Sequence, residues 1–361
     1  MLKALSSSEY RDYYENHIRN LVHTPFQTPE WALLHHRHFG DDVFFALPED
    51  RDRFHSGMLM FRAGTPYGDF IYSFGRFGVA GLVTKGDRSL AELGEELVGF
   101  LEAVGEAFEG HIVCATLGCL SLMEVSDDGK RIIMNLAAKD GYTPFFRVNH
   151  VVDLETIKNY SGVLSFRGGN PALPGKPRRN IARNLRKANE SQLRVNTKLN
   201  PRIVAQWHAV HRQRIRQLHG QIWDEPFFHD ALRCGNQGPL VFFGLYQQTR
   251  LVGGAMCFAS PNVLDIFMMS TLREYQELGG NHLIAEQVYL WAGEKGIRYV
   301  NWQGSNPPSG GVVEFKEQWM ARPTTLISMS RVLDAEALAL VDWPLLLAAY
   351  PNRFFYPLDS A

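Results

Sequence analysis

Cysteine is scarce: four residues in 361, at Cys114, Cys119, Cys234 and Cys257, with no paired metal-ligand spacing among them. A disulfide framework and a thiolate metal site are therefore excluded, and reduced, buried thiols are expected, which suits a cytoplasmic protein. Nowhere does an apolar run approach the ~18 residues of a membrane span. The start, Met1-Leu2-Lys3-Ala4-Leu5 and three serines, lacks the apolar core of a secretion signal. Charge of one sign is also missing, since 37 basic and 38 acidic residues leave a net charge of −1. DNA is not expected as a partner, and any surface for RNA or a peripheral membrane contact must be local. What is present is 45% hydrophobic and 21% charged residues, the balance of a globular protein long enough for two domains.

Two stretches of the chain follow one pattern. Val43-Phe44-Phe45-Ala46-Leu47 opens one series and Val241-Phe242-Phe243-Gly244-Leu245 another. After the first come strand-like runs at 57–63 and 70–83, a helical pattern over 90–108 and the apolar run Ile112-Val113-Cys114-Ala115. After the second come runs at 251–259 and 263–270, a helical pattern over 282–294 and Tyr299-Val300-Asn301-Trp302. Each reads strand, strand, strand, loop, helix, strand. Tandem duplication of an α/β domain with mixed sheets is the expectation, with domains at 1–164 and 165–335 and a helical tail at 336–361. Phe166 to Pro177 holds three prolines and three glycines and reads as the irregular link. Past it, Ile181, Leu185 and Ala188 form a helical stripe amid Arg179, Arg183, Arg186 and Lys187, giving a short cationic helix. A longer helix is predicted over 202–218, and an apolar one over 335–350.

Four places could carry chemistry. Tyr275-Gln276-Glu277-Leu278-Gly279-Gly280-Asn281-His282 opens a helix after a strand. Its glycines would let backbone N–H groups approach an anion, or they form an ordinary turn and cap. At Trp302-Gln303-Gly304-Ser305 an apolar strand ends in polar side chains, a position where open α/β sheets bind ligands. Gln303 and Ser305 would hydrogen-bond a substrate there and Trp302 would wall the pocket. Next, Phe315 and Trp319 anchor a helical turn that sets Lys316 beside the strand end. A fixed ammonium there would stabilise a developing oxyanion, though a lone lysine is more often a solvated one. Finally, Arg179 and Arg183 with Arg214 on the following helix would hold phosphates, or form plain cationic faces. His35, His36 and His38 stand at spacings that do not converge on a metal, so no metal site is expected.

Taken in order, Gln276-x-x-Gly279-Gly280-Asn281, Asn301-Trp302-Gln303-x-Ser305 and Phe315-Lys316-x-x-Trp319 resemble the Fem-like branch of the GNAT superfamily. Arg179-Asn180-Ile181-Ala182-Arg183 is similar to the segment opening the second domain there. The resemblance covers residues 165–335 well and the first half more loosely. It implies two tandem GNAT-like domains, each a mixed, mostly antiparallel sheet flanked by helices. It implies an N-acyltransferase moving an acyl or aminoacyl group onto an amine of a small-molecule, sugar-linked or cell-envelope acceptor, with no tightly bound cofactor. Lys316 is then the group at the transfer centre. Trp302, Gln303, Ser305, Phe315, Arg179, Arg183 and Arg214 fall to the acceptor, and Gln276, Gly279, Gly280 and Asn281 to the donor, either charged tRNA or acyl-CoA. Two departures bear on this. Asn281 stands where the acyl-CoA loop of ordinary GNAT enzymes ends in Gly or Ala, and the long helical arm of some peptidoglycan members is missing. A CoA-dependent acetyltransferase and a non-catalytic binding protein remain the alternatives.

Overall fold

Short apolar strands with tight turns need a partner on each edge, and the chain supplies one through two repeats of the same meander. The computed structural model describes residues 2–48, 57–73, 81–83, 90–107, 112–120, 130–132, 134–135, 142–158, 162–167, 170, 172–218, 222–234, 240–304, 310–351, 353 and 355. In chain order it begins with β1 (Leu2–Leu5), α1 (Ser7–Tyr13), α2 (Pro29–Phe39), β2 (Asp42–Pro48), β3 (Gly57–Thr65), β4 (Gly68–Tyr72), β5 (Leu82–Val83), α3 (Leu90–Ala107) and β6 (Ile112–Leu120). Then come β7 (Thr143–Asp153), α4 (Gly175–Glu190), β8 (Leu193–Asn196), α5 (Pro201–Gln217), α6 (Glu225–Arg233), β9 (Leu240–Gln247), β10 (Arg250–Ala259) and β11 (Val263–Thr271). The remainder is α7 (Arg273–Glu277), α8 (Gly280–Glu294), β12 (Tyr299–Asn301), α9 (Gly310–Gln318), β13 (Arg322–Val332), α10 (Ala335–Ala339) and α11 (Trp343–Ala349).

Packing divides the chain into two units, Met1–Asn149 with Pro323–Ala361, and His150–Arg322. In the first, β1, β2, β3 and β4 pair antiparallel in that order, and β4 pairs parallel with β6. In the second, β8, β9, β10 and β11 do the same, and β11 pairs parallel with β12. The repeat read from the sequence is thus present strand for strand. Each sheet is then closed by a strand that the sequence places after the other repeat: β13 lies antiparallel to β6, and the end of β7 antiparallel to β12.

This exchange moves the boundaries away from 164 and 335. Residues 150–157 join the second unit because Val151 to Asp153 pair with β12 and Leu154 and Ile157 enter its core. Residues 323–335 join the first because Leu326 to Val332 pair with β6 and bury Ile327 and Met329 against Phe100, Leu101 and Val104 of α3. The tail also belongs to the first unit. Phe355 packs on Phe70 and Tyr72, and Arg353 grips the Asp41 carboxylate through Nε and a terminal nitrogen, both at 2.8 Å.

Local differences from the expected elements have simple causes. The cationic helix starts at Gly175, so Gly175, Lys176 and Pro177 form its first turn, where a missing proline N–H is harmless. The tail is two helices instead of one. Asp342 caps the second by accepting from the Leu345 N–H at 3.0 Å, and Pro344 follows it in the first turn. The run at 70–83 divides into β4 and β5, with 74–80 outside the described residues. Among those residues Cys114 and Cys257 are buried, reduced thiols.

In the second unit Phe242 packs on Trp207 of α5, while its neighbour Phe243 packs on Trp291 of α8. Successive strand residues face opposite ways, so α5 and α8 cover opposite faces of the sheet. Helix α4 lies with α8 through Ile181 and Leu185.

The Asp41–Arg353 pair is nearly fully buried, with side chains 4% and 6% exposed. Removing one partner of such a pair strands the other charge, so Arg353→Leu should destabilise the first unit by about 3–5 kcal/mol. Urea titration checks this, and the Asp41→Asn/Arg353→Leu double variant should recover part of the loss.

Candidate active site

Strands β11 and β12 start side by side and then separate. Their parallel pairing covers only Val263 with Tyr299, Leu264 with Val300 and Asp265 with Asn301. Beyond that, β11 continues to Thr271 while β12 stops, which opens the sheet at its carboxyl edge. Register against β10 also shifts between Met256 and Cys257, which leaves Phe267 as the extra residue of a bulge and bends β11 further. In the first unit the matching strands do not separate within the described residues. Pairing there extends to Tyr72, and Ser73 continues it, its N–H donating to the Thr116 carbonyl and its Oγ accepting from the Gly118 N–H at 2.8 Å.

A polar cluster fills the fork. Asp265, fully buried, accepts from Asn301 Nδ2 at 2.7 Å and from Gln303 Nε2 at 2.5 Å. Asn301 Oδ1 accepts the Gln303 N–H at 2.9 Å, which helps hold Gln303 at a φ of +59°, a strained value for a side-chain-bearing residue. Lys316 enters from α9 and is only 5% exposed. Its Nζ donates to the Gln303 carbonyl at 2.8 Å and the Gly304 carbonyl at 3.1 Å. Burial pushes the Lys316 ammonium down to about 8, with Asp265 opposing, and burial pushes the Asp265 carboxyl up to about 7, with Gln303, Asn301 and Lys316 opposing. The acid and the base thus titrate close together, near neutral pH. His150 also stands here. Burial and Lys316 depress its pKa, so it is neutral at pH 7, and its buried Nδ1 has no hydrogen-bond partner.

Aromatic side chains wall the fork. Trp302 Nε1 donates to Tyr289 Oη at 2.8 Å, and Tyr289 Oη donates to the Trp319 carbonyl at 2.8 Å. Trp319 Nε1 donates to His282 Nδ1 at 3.2 Å, leaving the His282 proton on Nε2. Phe315 lies edge-on to both His282 and Trp302.

Of the residues expected at the site, Lys316, Gln303, Trp302 and Phe315 come together at the fork. Trp302 is core more than wall, being 5% exposed. Ser305 lies outside the described residues. The Gln276 amide donates to the Thr271 carbonyl at 2.8 Å. Gly279 has φ +84° and starts α8, and a Cβ on it would sit 2.2 Å from the Asn184 carbonyl oxygen. Its first use is thus the close approach of α4 to α8. Asn281 Oδ1 is buried without a hydrogen-bond partner. Arg179 and Arg183 share α4, but Arg214 belongs to α5 on the other face of the sheet and donates to Gln217 Oε1 at 3.2 Å, so the three do not form one cluster. Asp265, His150 and His282 were not singled out from sequence. The available signal was an acid inside the apolar run Val263 to Met269. Among the described residues no group of His, Cys, Asp or Glu could hold a metal ion, and no helix is long and apolar enough to cross a membrane.

Residues 175–317 match the family described as Acetyltransferase (GNAT) domain. The structure of FemX superposes with a TM-score of 0.68 at 10% identity, covering 94% of this chain and 99% of that one. The chain has the Fem-like tandem GNAT fold. Two further structures share it. The C-terminal domain of a putative lysylphosphatidylglycerol synthetase from Agrobacterium fabrum gives a TM-score of 0.55 at 12% identity, covering 94% of this chain and 98% of its own. A tandem GNAT protein from the clavulanic acid biosynthesis pathway gives 0.51 at 12% identity, covering 92% and 98%. No curated protein matches the chain. The GNAT domain match falls wholly within the unit whose sheet forks.

Gly279 should tolerate nothing larger. Gly279→Ala adds a collision with backbone to an unfavourable φ and should cost at least about 2–3 kcal/mol. Gly296→Ala, at φ +72° but with open space around it, should cost only about 1 kcal/mol. Comparing the two melting temperatures checks the difference.

Proposed function

We propose that the chain is an N-acyltransferase whose second unit moves an acyl or aminoacyl group from an activated carbonyl to an acceptor amine at the β11/β12 fork. The observation carrying this reading is the buried Lys316 ammonium, fixed by two backbone carbonyls just past the last β11–β12 pair. A cation held in a dry site needs no reorganisation when negative charge develops on the carbonyl oxygen in the transition state. Gln303 and Asn301 hold Asp265 beside it, which keeps Lys316 charged despite its burial. Phe315, with Trp302 packed behind it, supplies apolar wall, which excludes water from the activated ester.

The donor is either an aminoacyl ester of tRNA or an acyl-CoA. The α8 N-terminus, where acyl-CoA would place its pyrophosphate, is closed on one side by the Asn184 carbonyl, which favours the aminoacyl ester. Incubation with labelled aminoacyl-tRNA in one arm and labelled acyl-CoA in the other, each with an amine acceptor, decides between them. RNase abolishes transfer in the first arm only.

Lys316→Met should lower kcat at least about tenfold, with the melting temperature followed in parallel because two carbonyls lose their donor. A folded variant with wild-type turnover would remove Lys316 from the reaction. The charged lysine is the active form, so kcat should fall as pH rises through about 8. Asp265→Asn removes the carboxylate that supports the charge and should move that limb to lower pH. An unshifted limb would separate Asp265 from Lys316.

A further inference from the structure

The second unit contains a groove of about 700 Å3 between the first half of α4 and α9, and its lining is sorted by charge. Lys176, Arg179 and Arg183 come from α4, and Glu314 and Glu317 from α9. Asn180 and Gln318 join the two helices amide to amide, and Arg183 is braced by a 2.6 Å donation to Asn180 Oδ1. None of the three cations is paired with either carboxylate. Closing exposed pairs of opposite sign gains only about 0–1 kcal/mol, so the five charges stay available to a ligand. Here they stay apart across the space of a small molecule.

The acidic wall shares its helix with Lys316, which turns the other way, into the protein. The groove is therefore separate from the fork, although Glu317 reaches His150 electrostatically. Three positive and two negative groups leave the groove with one net positive charge. A phosphate monoester carries about −1.5 to −2 at neutral pH, and with one ammonium on the same molecule its net charge comes close to −1. An amine carboxylate would be neutral overall, and a phosphate alone would face two carboxylates.

We propose that this groove binds a phosphate monoester bearing a free ammonium, with the phosphate on Lys176, Arg179 and Arg183 and the ammonium against Glu314 and Glu317. The proposal concerns binding and rests on the transferase reading only for the ligand's role. The carboxylates hold the amine protonated, so this amine is not the nucleophile and the groove is a recognition site separate from the fork.

Calorimetry with three probes tests this: glucosamine 6-phosphate, glucose 6-phosphate without the amine, and glucosamine without the phosphate. The first should bind at least about tenfold more tightly than either of the others. Glu314→Gln/Glu317→Gln should remove the preference for amine over hydroxyl while leaving glucose 6-phosphate affinity unchanged or higher. Lys176→Ala/Arg179→Ala should remove the preference for phosphate. Both carboxylates are exposed, so the first variant should melt with the wild type. Equal binding of the two sugar phosphates, a preference that survives in the glutamine variant, or no binding by any probe would overturn the proposal. The readout does not depend on turnover. Amine-selective binding without transfer to any amine would count against the transferase reading alone, and transfer without such binding would count against the groove alone.

Discussion

The short parallel contact between β11 and β12 is the constraint on which the second unit depends. Three residue pairs hold the strands together, and the next residues separate. Backbone groups released by a diverging sheet must find partners elsewhere, and the chain answers with side chains. Asn301 and Gln303 turn back onto Asp265, and Lys316 takes up the carbonyls of Gln303 and Gly304. The polar cluster that fills the fork also holds its buried charges, Asp265 and Lys316.

That arrangement is costly in isolation. A buried carboxyl and a buried ammonium each lose hydration worth several kcal/mol, and their titration is shifted toward neutrality from both sides. Aromatic packing offsets the cost. Phe166, Tyr289, Trp302 and Trp319 form a contiguous set of ring contacts beneath the fork, linked by hydrogen bonds from ring nitrogen to hydroxyl and from hydroxyl to carbonyl. The first unit has the same strands, and within the described residues they do not diverge. Its own buried charge pair, Asp41 with Arg353, secures the tail instead.

Much of the fold was legible in the sequence because periodicity survives in local segments. The two VFF runs opened equivalent strands, the helix at 175–190 buries the Ile181, Leu185 and Ala188 stripe its spacing implied, and the Phe-Lys-x-x-Trp motif placed Lys316 at the end of a strand. The domain boundaries were not legible, because β7 and β13 are completed by partners about 150–210 residues away in the chain. No local pattern records such an exchange. Asp265 was hidden for a related reason: its partners Asn301 and Gln303 lie 36 and 38 residues further on.

By itself the sequence determined the repeat, the element order and the residue types available for chemistry, since these follow from side-chain pattern and local propensity. Only the tertiary structure decided which of those residues meet. It separated Arg214 from Arg179 and Arg183 by a sheet, closed Gly279 against Asn184, and buried Lys316 beside Asp265. Hydrophobic burial and hydrogen-bond satisfaction act on the whole chain at once, so neighbours of this kind are set by packing and are not written in any one stretch of residues.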